Sequence, residues 1–509
     1  MASLAPRRDP GQPGRGVSLD PRIVSGLGPA ATVGSTALLA RLADVRIGLA
    51  IGAGSCAAAI GLIVADQLVR TFPRLVPADA EAEAVLRERI TWVGAEADVE
   101  VGAADVAILI GDAGGMDTGQ SIFVGANRWR AHLSSSVPQP TGSIGVGAPA
   151  AAFAAVLEVF KIVFAEWIEG PIDPLDELHW SLLDWSTGGE DDGPELPDLF
   201  LPEVVWGGTG AVAHGGLAAI AILPAVSGRI IAIDPDPYGR ESARRYPFAR
   251  SIWMGDVKVE RVRDWLQEAH PGLEVVAEGT DLNTWYATKR PSCDVPILVT
   301  TPDSKETRRH AALKLPAVAV NAWAERFRIG VETFPFQPGR CLACAYPLDQ
   351  EAVSEVDVFR QESGLPAWRV RELLDSGALL SDADRAIVAQ RYGLDVQELV
   401  GRTLRSTREH LCAVGRLTSP ASRETIDVPL GFVAGLAGVA AVADLIRWLL
   451  GRTTGKRWEW DARLMPTDLN AWPNGPRADC FVCADPDFTG IYREKYGNHD
   501  SDAVLGSGM

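Results

Sequence analysis

Two stretches of this chain repeat one hydrophobic pattern. Near Ile47 an apolar run, IGLAIGAG, passes straight into a small-residue segment, SCAAAIGLIVADQLV. Near Val204 a second run, VVWGGTG, passes into AVAHGGLAAIAIL. A short apolar run followed by such a segment predicts a strand running into a helix. Each junction reads G-x-G-x-x-A, at Gly52, Gly54 and Ala57 and again at Gly208, Gly210 and Ala213. The glycines permit a tight turn and close backbone approach, and the alanine lets the helix pack on the strand. One such turn is weak evidence. Two of them, about a domain length apart, predict an α/β fold with two Rossmann-like units in one chain.

The halves also end alike. Gly145 to Phe164 (GVGAPAAAFAAVLEVFKIVF) and Leu430 to Leu450 (LGFVAGLAGVAAVADLIRWLL) each predict a long small-residue helix after a Gly/Pro-rich crossing segment. The most apolar run, Val428 to Leu450, holds Asp444 and Arg447 and falls short of the roughly 20 uncharged residues a spanning helix needs, so a buried helix is expected. Between the halves, 171–200 is acidic and rich in Pro and Gly, as a linker would be. Residues 349–410 predict several short amphipathic helices, with Ser381 and Asp384 as a capping box and Gly393 as a helix stop. The expected organisation is a disordered arm (1–20), a first Rossmann unit (21–170), the linker (171–200), a second unit (201–348), the helical insertion (349–410), the completion of the second unit (411–497) and a tail (498–509).

Charge and cysteines narrow the chemistry. The net charge of -18 argues against nucleic acid or an anionic membrane as the main partner, since both demand a basic face. The N-terminal segment has no apolar stretch of the secretory kind. Seven cysteines in 509 residues make no disulfide scaffold, and a cytoplasmic location is expected. Four of them form two Cys-x-x-Cys pairs, Cys341 with Cys344 and Cys480 with Cys483. Two such knuckles supply the four sulfurs of a tetrahedral Zn²⁺ site, with a redox disulfide as the alternative for one pair. Cys56, inside the first glycine turn, reads as a packing residue, and Cys293, before a strand, as inert.

Candidate ligand groups follow the second glycine turn in order. The strand IIAIDPD ends in Asp234 and Asp236, suited to ribose hydroxyls, although Asp-Pro-Asp-Pro is also good turn sequence. Arg245 and Lys258 could clamp phosphates or lie on a solvated basic face. Asp303, just past the strand PILVTT, suits Mg²⁺ or the N-cap of the next helix. There is no Walker A sequence.

This series resembles the adenylation domain of ubiquitin-activating enzymes and of their bacterial ThiF/MoeB-type relatives. Gly208, Gly210 and Ala213 match the family's turn, and Asp234 with Asp236 its acidic pair. Arg245 follows Asp236 by nine residues and Lys258 follows Arg245 by thirteen, both at the family spacing. Asp303, Ser304 and Arg308 fit the family's D-[NS]-x-x-[ST]-R pattern, while Ser242 stands where the family has asparagine. The resemblance implies ATP, Mg²⁺ held by Asp303, and Zn²⁺ held by Cys341, Cys344, Cys480 and Cys483. It implies adenylation of the C-terminal carboxylate of a small ubiquitin-like protein in a bacterial conjugation system. Cys412 would then form a thioester and pass the acyl group to a conjugating enzyme, or else be a buried helix cysteine. The first half lacks the acidic pair, the arginine and the lysine, so it looks like the inactive half of a pseudo-dimer. Arg22 stands about where such halves lend an arginine to the triphosphate. Two other functions compete. One is adenylation of a sulfur carrier or peptide without a thioester, the other a non-catalytic binding scaffold.

Overall fold

The computed structural model describes residues 35–189, 191–196, 198–239, 242–292, 294–302, 304–336, 340–347, 355–413, 430–452, 456–473 and 475–497. The first unit begins with helix α1 (Ser35–Asp44) and strand β1 (Ile47–Ile51), then α2 (Ser55–Thr71), β2 (Arg74–Pro77), α3 (Ala80–Val93) and β3 (Asp98–Val99). It continues with β4 (Ala104–Ile110), β5 (Thr118–Asn127), β6 (Arg130–Ser134), α4 (Gly147–Phe164) and β7 (Glu177–Ser181). Its sheet has the order β3-β2-β1-β4-β5-β6-β7, parallel through β5 and antiparallel beyond.

The second unit repeats this plan. It runs β8 (Leu199–Gly207), α5 (Ala211–Ile222), β9 (Val226–Ile233), α6 (Ser242–Arg245), α7 (Lys258–Ala269), β10 (Leu273–Glu278), α8 (Leu282–Lys289), β11 (Ile297–Thr300), α9 (Lys305–Leu313), β12 (Val318–Glu325) and β13 (Arg328–Phe334). Four insertion helices follow, α10 (Glu355–Ser363), α11 (Ala367–Ser376), α12 (Asp382–Tyr392) and α13 (Leu404–Ala413). The unit closes with α14 (Gly431–Leu449), β14 (Lys456–Asp461), β15 (Ala471–Pro473) and α15 (Pro486–Tyr496). Its sheet order, β10-β9-β8-β11-β12-β13-β14-β15, is that of the first unit with one edge strand added. The chain is thus a doubled Rossmann-like α/β protein. In each unit the strand order reverses beside the glycine turn, after β1 and after β8. Ligands of open α/β sheets enter at such a switch point.

One hydrophobic core runs through both units. The long helices α4 and α14 meet at its centre, with Phe160 and Phe432 ring centroids 5.3 Å apart. Both helices are buried inside the protein, as expected for Val428–Leu450. α14 lies so close to α5 that a Cβ on Gly438 would stand 2.0 Å from the Val212 carbonyl oxygen. The insertion has small cores of its own, and Ser381 and Asp384 form the expected capping box, with Gly393 in the left-handed conformation at the far end of α12.

The acidic segment 171–200 differs from the expected linker, because it supplies edge strand β7 of the first sheet. Its Trp180 and Trp185 stack on Trp458 of β14, with centroids 5.2 and 4.6 Å away. The aromatic burial outweighs the Pro/Gly composition on which the linker reading rested.

Candidate nucleotide site

The second glycine turn is built to leave helix donors open. Gly208 has φ 86°, a conformation favoured only by glycine, and its N–H donates to the Ile233 carbonyl at 2.9 Å. A Cβ there would stand 3.2 Å from the Pro302 nitrogen. Gly210 then caps α5 without a side-chain acceptor, so the first N–H groups of α5 remain available to an anion.

Around this turn the acidic pair and the lysine converge. The Thr209 N–H donates to Asp234 Oδ2 at 2.6 Å, and the Asp236 N–H donates to Asp234 Oδ1 at 2.9 Å. Lys258 Nζ lies 3.0 Å from Asp236 Oδ2 and 3.7 Å from Asp234 Oδ1. Lys258 is 6% exposed, which rules out the solvated basic face. Burial would lower its pKa, but Tyr246, Asp234 and Asp236 outweigh that and raise it, so the ammonium keeps its charge.

Arg245 closes the short helix α6. Its Nη2 lies 3.3 Å from the Tyr246 hydroxyl, and its guanidinium sits 5.1 Å above the Tyr246 ring. Lys258 Nζ is 5.9 Å from that ring. The atom nearest to a Cβ built on Gly210 is also the Tyr246 hydroxyl, at 4.0 Å. Tyr246 therefore joins Arg245, Lys258 and the glycine turn. Sequence reasoning missed it, and the available signal was an aromatic residue directly after Arg245. The Ser242 hydroxyl accepts from the Gly239 N–H at 3.1 Å and shapes the same loop.

Behind the turn, His214 Nδ1 lies 3.0 Å from the Gly210 carbonyl and Nε2 lies 2.7 Å from the Tyr238 hydroxyl. Burial pushes the His214 pKa down to about 3, so the ring is neutral. A carbonyl can only accept, so we assign the proton to Nδ1, and Nε2 accepts from Tyr238.

Asp303, Arg22 and Cys293 lie outside the described residues, and so does the side chain of Cys412, whose backbone belongs to α13. The neighbours of Asp303 are firmly placed. The Thr301 N–H donates to the Gly207 carbonyl at 3.0 Å, and its hydroxyl to the Gly208 carbonyl at 2.9 Å. Arg308 donates to the Pro302 carbonyl from Nη2 at 2.6 Å and from Nε at 3.1 Å. It also reaches the Ala322 carbonyl at 3.0 Å and the Tyr346 hydroxyl at 3.1 Å. Ser304, not Asp303, is the N-cap of α9, accepting from the Thr307 N–H at 3.0 Å.

The first unit's turn has another fill. Asp112 Oδ1 accepts from the Ala53 N–H at 2.9 Å and presses on Gly52, where a Cβ would stand 2.4 Å from it. A carboxylate of the chain itself occupies the mouth of that turn. The acid just past β2, Asp79, caps α3 by accepting from the Ala82 N–H at 2.8 Å. Cys56 is buried beside the turn, and burial raises its thiol pKa to about 11, which keeps it unreactive.

The two cysteine pairs meet. The sulfurs of Cys341, Cys344, Cys480 and Cys483 all lie within 4.8 Å of one another, with Cys341 3.6 Å from Cys480 and Cys344 3.3 Å from Cys483. Four thiolates at about 2.3 Å from one zinc ion would stand about 3.8 Å apart, so the cluster fits a tetrahedral metal site. Hydrogen bonding from Cys341 draws the Cys344 pKa down to about 4, while burial pushes Cys483 up to about 12. A divalent cation would let all four ionise together.

By fold and site, the protein is a doubled α/β chain in which one of two glycine turns is furnished with paired acids and bases. No protein-family profile matches it. It is similar to the uncharacterized protein y4jF of Sinorhizobium fredii, with 28% identity over 404 residues, covering 74% of this chain and 75% of the relative. Among solved structures it is similar to E. coli MccB, at 14% identity and a TM-score of 0.35, over 55% of this chain and 65% of that one. A structure of E. coli MccB with ATP matches at 14% identity and 0.34, over 56% and 67%. PaaA matches at 12% and 0.29, over 51% and 69%. The chain spans about two thirds of the length of these solved chains.

Proposed function

We propose that the second unit binds Mg–ATP and adenylates a carboxylate, namely the C-terminus of a small polypeptide. The convergence of Asp234, Asp236, Arg245 and Lys258 on the Gly208–Gly210 turn carries this reading. ATP phosphates would lie over the start of α5, and the two aspartates would accept from the ribose hydroxyls. The two acids and two bases balance in charge, so Mg²⁺ must accompany the tetra-anionic triphosphate. Asp303 is the residue assigned to hold it. The incoming carboxylate oxygen attacks the α-phosphorus, the bond to the β-phosphate oxygen breaks, and pyrophosphate leaves. Lys258 and Arg245 neutralise the charge that grows on pyrophosphate, so catalysis is positioning and electrostatics.

The closing test is ATP–pyrophosphate exchange with candidate polypeptides. Exchange is expected from the wild type, lost in Asp303→Ala, and blocked when the polypeptide C-terminus is amidated. Exchange unaffected by Asp303→Ala or by amidation contradicts the reading, and no exchange in the wild type with a verified partner present favours the scaffold. The finer assignment takes the polypeptide to be a small ubiquitin-like protein in the cytoplasm, Cys412 to be the thioester cysteine, a conjugating enzyme to be the acceptor, and Arg22 to reach the triphosphate. Cys412→Ala should leave exchange intact and abolish a reductant-sensitive adduct. An adduct that survives contradicts the Cys412 assignment, and none in the wild type leaves adenylation of a sulfur carrier or peptide. The cysteine cluster is assigned a structural Zn²⁺ that ties the 341–344 loop to the C-terminal segment.

A further inference from the structure

The segment between Arg245 and Lys258 belongs to the second unit, but the first unit holds its backbone. Phe248 has φ 63°, the left-handed region that a residue with a Cβ rarely adopts. Its N–H donates to Asp66 Oδ2 at 3.0 Å, and its carbonyl accepts from Trp92 Nε1 at 2.9 Å. The next carbonyl, that of Ala249, accepts from Arg70 Nη2 at 2.8 Å, and the Ser251 hydroxyl donates to the Val93 carbonyl. All four holding residues lie on α2 or α3. Asp66 is fully buried and paired with Arg70, Nη2 to Oδ1 at 2.8 Å. The guanidiniums of Arg250 and Arg89 lie over the Trp92 ring at 4.3 and 4.7 Å. The Phe248 ring in turn stacks on Trp265 of α7, the helix that opens with Lys258, at 5.3 Å.

Unfavourable backbone conformations persist only where the surroundings over-determine them, and they cluster at functional sites. Here the over-determination comes from the neighbouring unit. We infer that Asp66 and Trp92 are positioning residues for the nucleotide site: by fixing Phe248 in its left-handed conformation, the first unit presents Arg245, Tyr246 and Lys258 to the triphosphate. The inference rests on the nucleotide reading above. It gives the first unit a task that needs no nucleotide of its own.

The test uses the full chain. Asp66→Asn would leave Arg70 buried beside an uncharged partner and can unfold the protein. Trp92→Phe is the sharper variant, because it removes one N–H and keeps a ring beneath the two arginines. Two quantities are read: amide hydrogen exchange over 246–254 and Mg–ATP affinity by calorimetry. Exchange is expected to quicken in that segment, and affinity to fall roughly five- to tenfold, the worth of about one hydrogen bond. A merely structural role for Trp92 would lower the melting temperature and leave the affinity of the folded protein intact. Unchanged exchange, or faster exchange with unaltered affinity, overturns the inference. If the wild type itself binds no Mg–ATP, the nucleotide reading fails and the positioning role falls with it. Wild-type binding that Trp92→Phe leaves intact removes the positioning role alone.

Discussion

The two glycine turns share a scaffold and differ in what fills them. Both follow a central parallel strand, both open a small-residue helix, and both sit where the strand order reverses. In the first, Asp112 satisfies a turn N–H, and the acid past the next strand caps a helix. In the second, the acids past β9, the strand that corresponds to β2, hold the turn from the side and bring a buried lysine to its mouth. The fold therefore offers an open helix start after a glycine turn twice, and on the proposed reading only the second serves an anion. What distinguishes the two is the lysine that Asp234 and Asp236 hold beside the second turn, not the glycine pattern.

Several substitutions break or sharpen this contrast. Lys258→Met should weaken Mg–ATP binding by about a hundred- to a thousandfold, whereas Asp112→Asn should leave it unchanged. Equal effects in a binding titration would erase the distinction between the units. Next comes the cysteine cluster, which only the second unit carries among the described residues. Cys480→Ser should take the zinc content measured by elemental analysis from one per chain to none and lower Tm by roughly 5–10 °C. Gly438→Ala should cost about 1–3 kcal/mol in denaturant unfolding, because its Cβ would meet the Val212 carbonyl oxygen at 2.0 Å.

One further effect is shared by the units. Each holds a histidine whose burial depresses its pKa, His132 to about 4 and His214 to about 3. Between those values and about 6.5 the unfolded chain binds more protons than the folded one. The contribution of these two groups to stability is therefore full above pH 6.5 and is lost as pH drops towards 4. Replacing His214 with Gln should flatten that slope in denaturant titrations at several pH values, and an unchanged slope would refute the assignment of a neutral ring.

Much of this architecture was legible in the sequence because it is written locally. The strands at Ile47 and Val204 announce themselves as apolar runs closed by glycine. The long helices were expected at Gly145–Phe164 and Leu430–Leu450 and stand at Gly147–Phe164 and Gly431–Leu449. The edge strand Glu177–Ser181 was hidden, because its tryptophan finds its partner almost three hundred residues later, at Trp458. Asp234, Asp236, Arg245 and Lys258 could be picked out by spacing. Whether they met depended on β9 and α7 lying side by side, which spacing alone does not reveal. Asp112 and Asp66 gave no signal in the chain, since each gains its role from a backbone group supplied by tertiary packing.

The most direct measurement is a calorimetric titration of the full chain with Mg–ATP. One site per chain is predicted, lost in Lys258→Met and retained in Asp112→Asn. Two sites, none, or a site that survives the loss of the lysine would contradict the account.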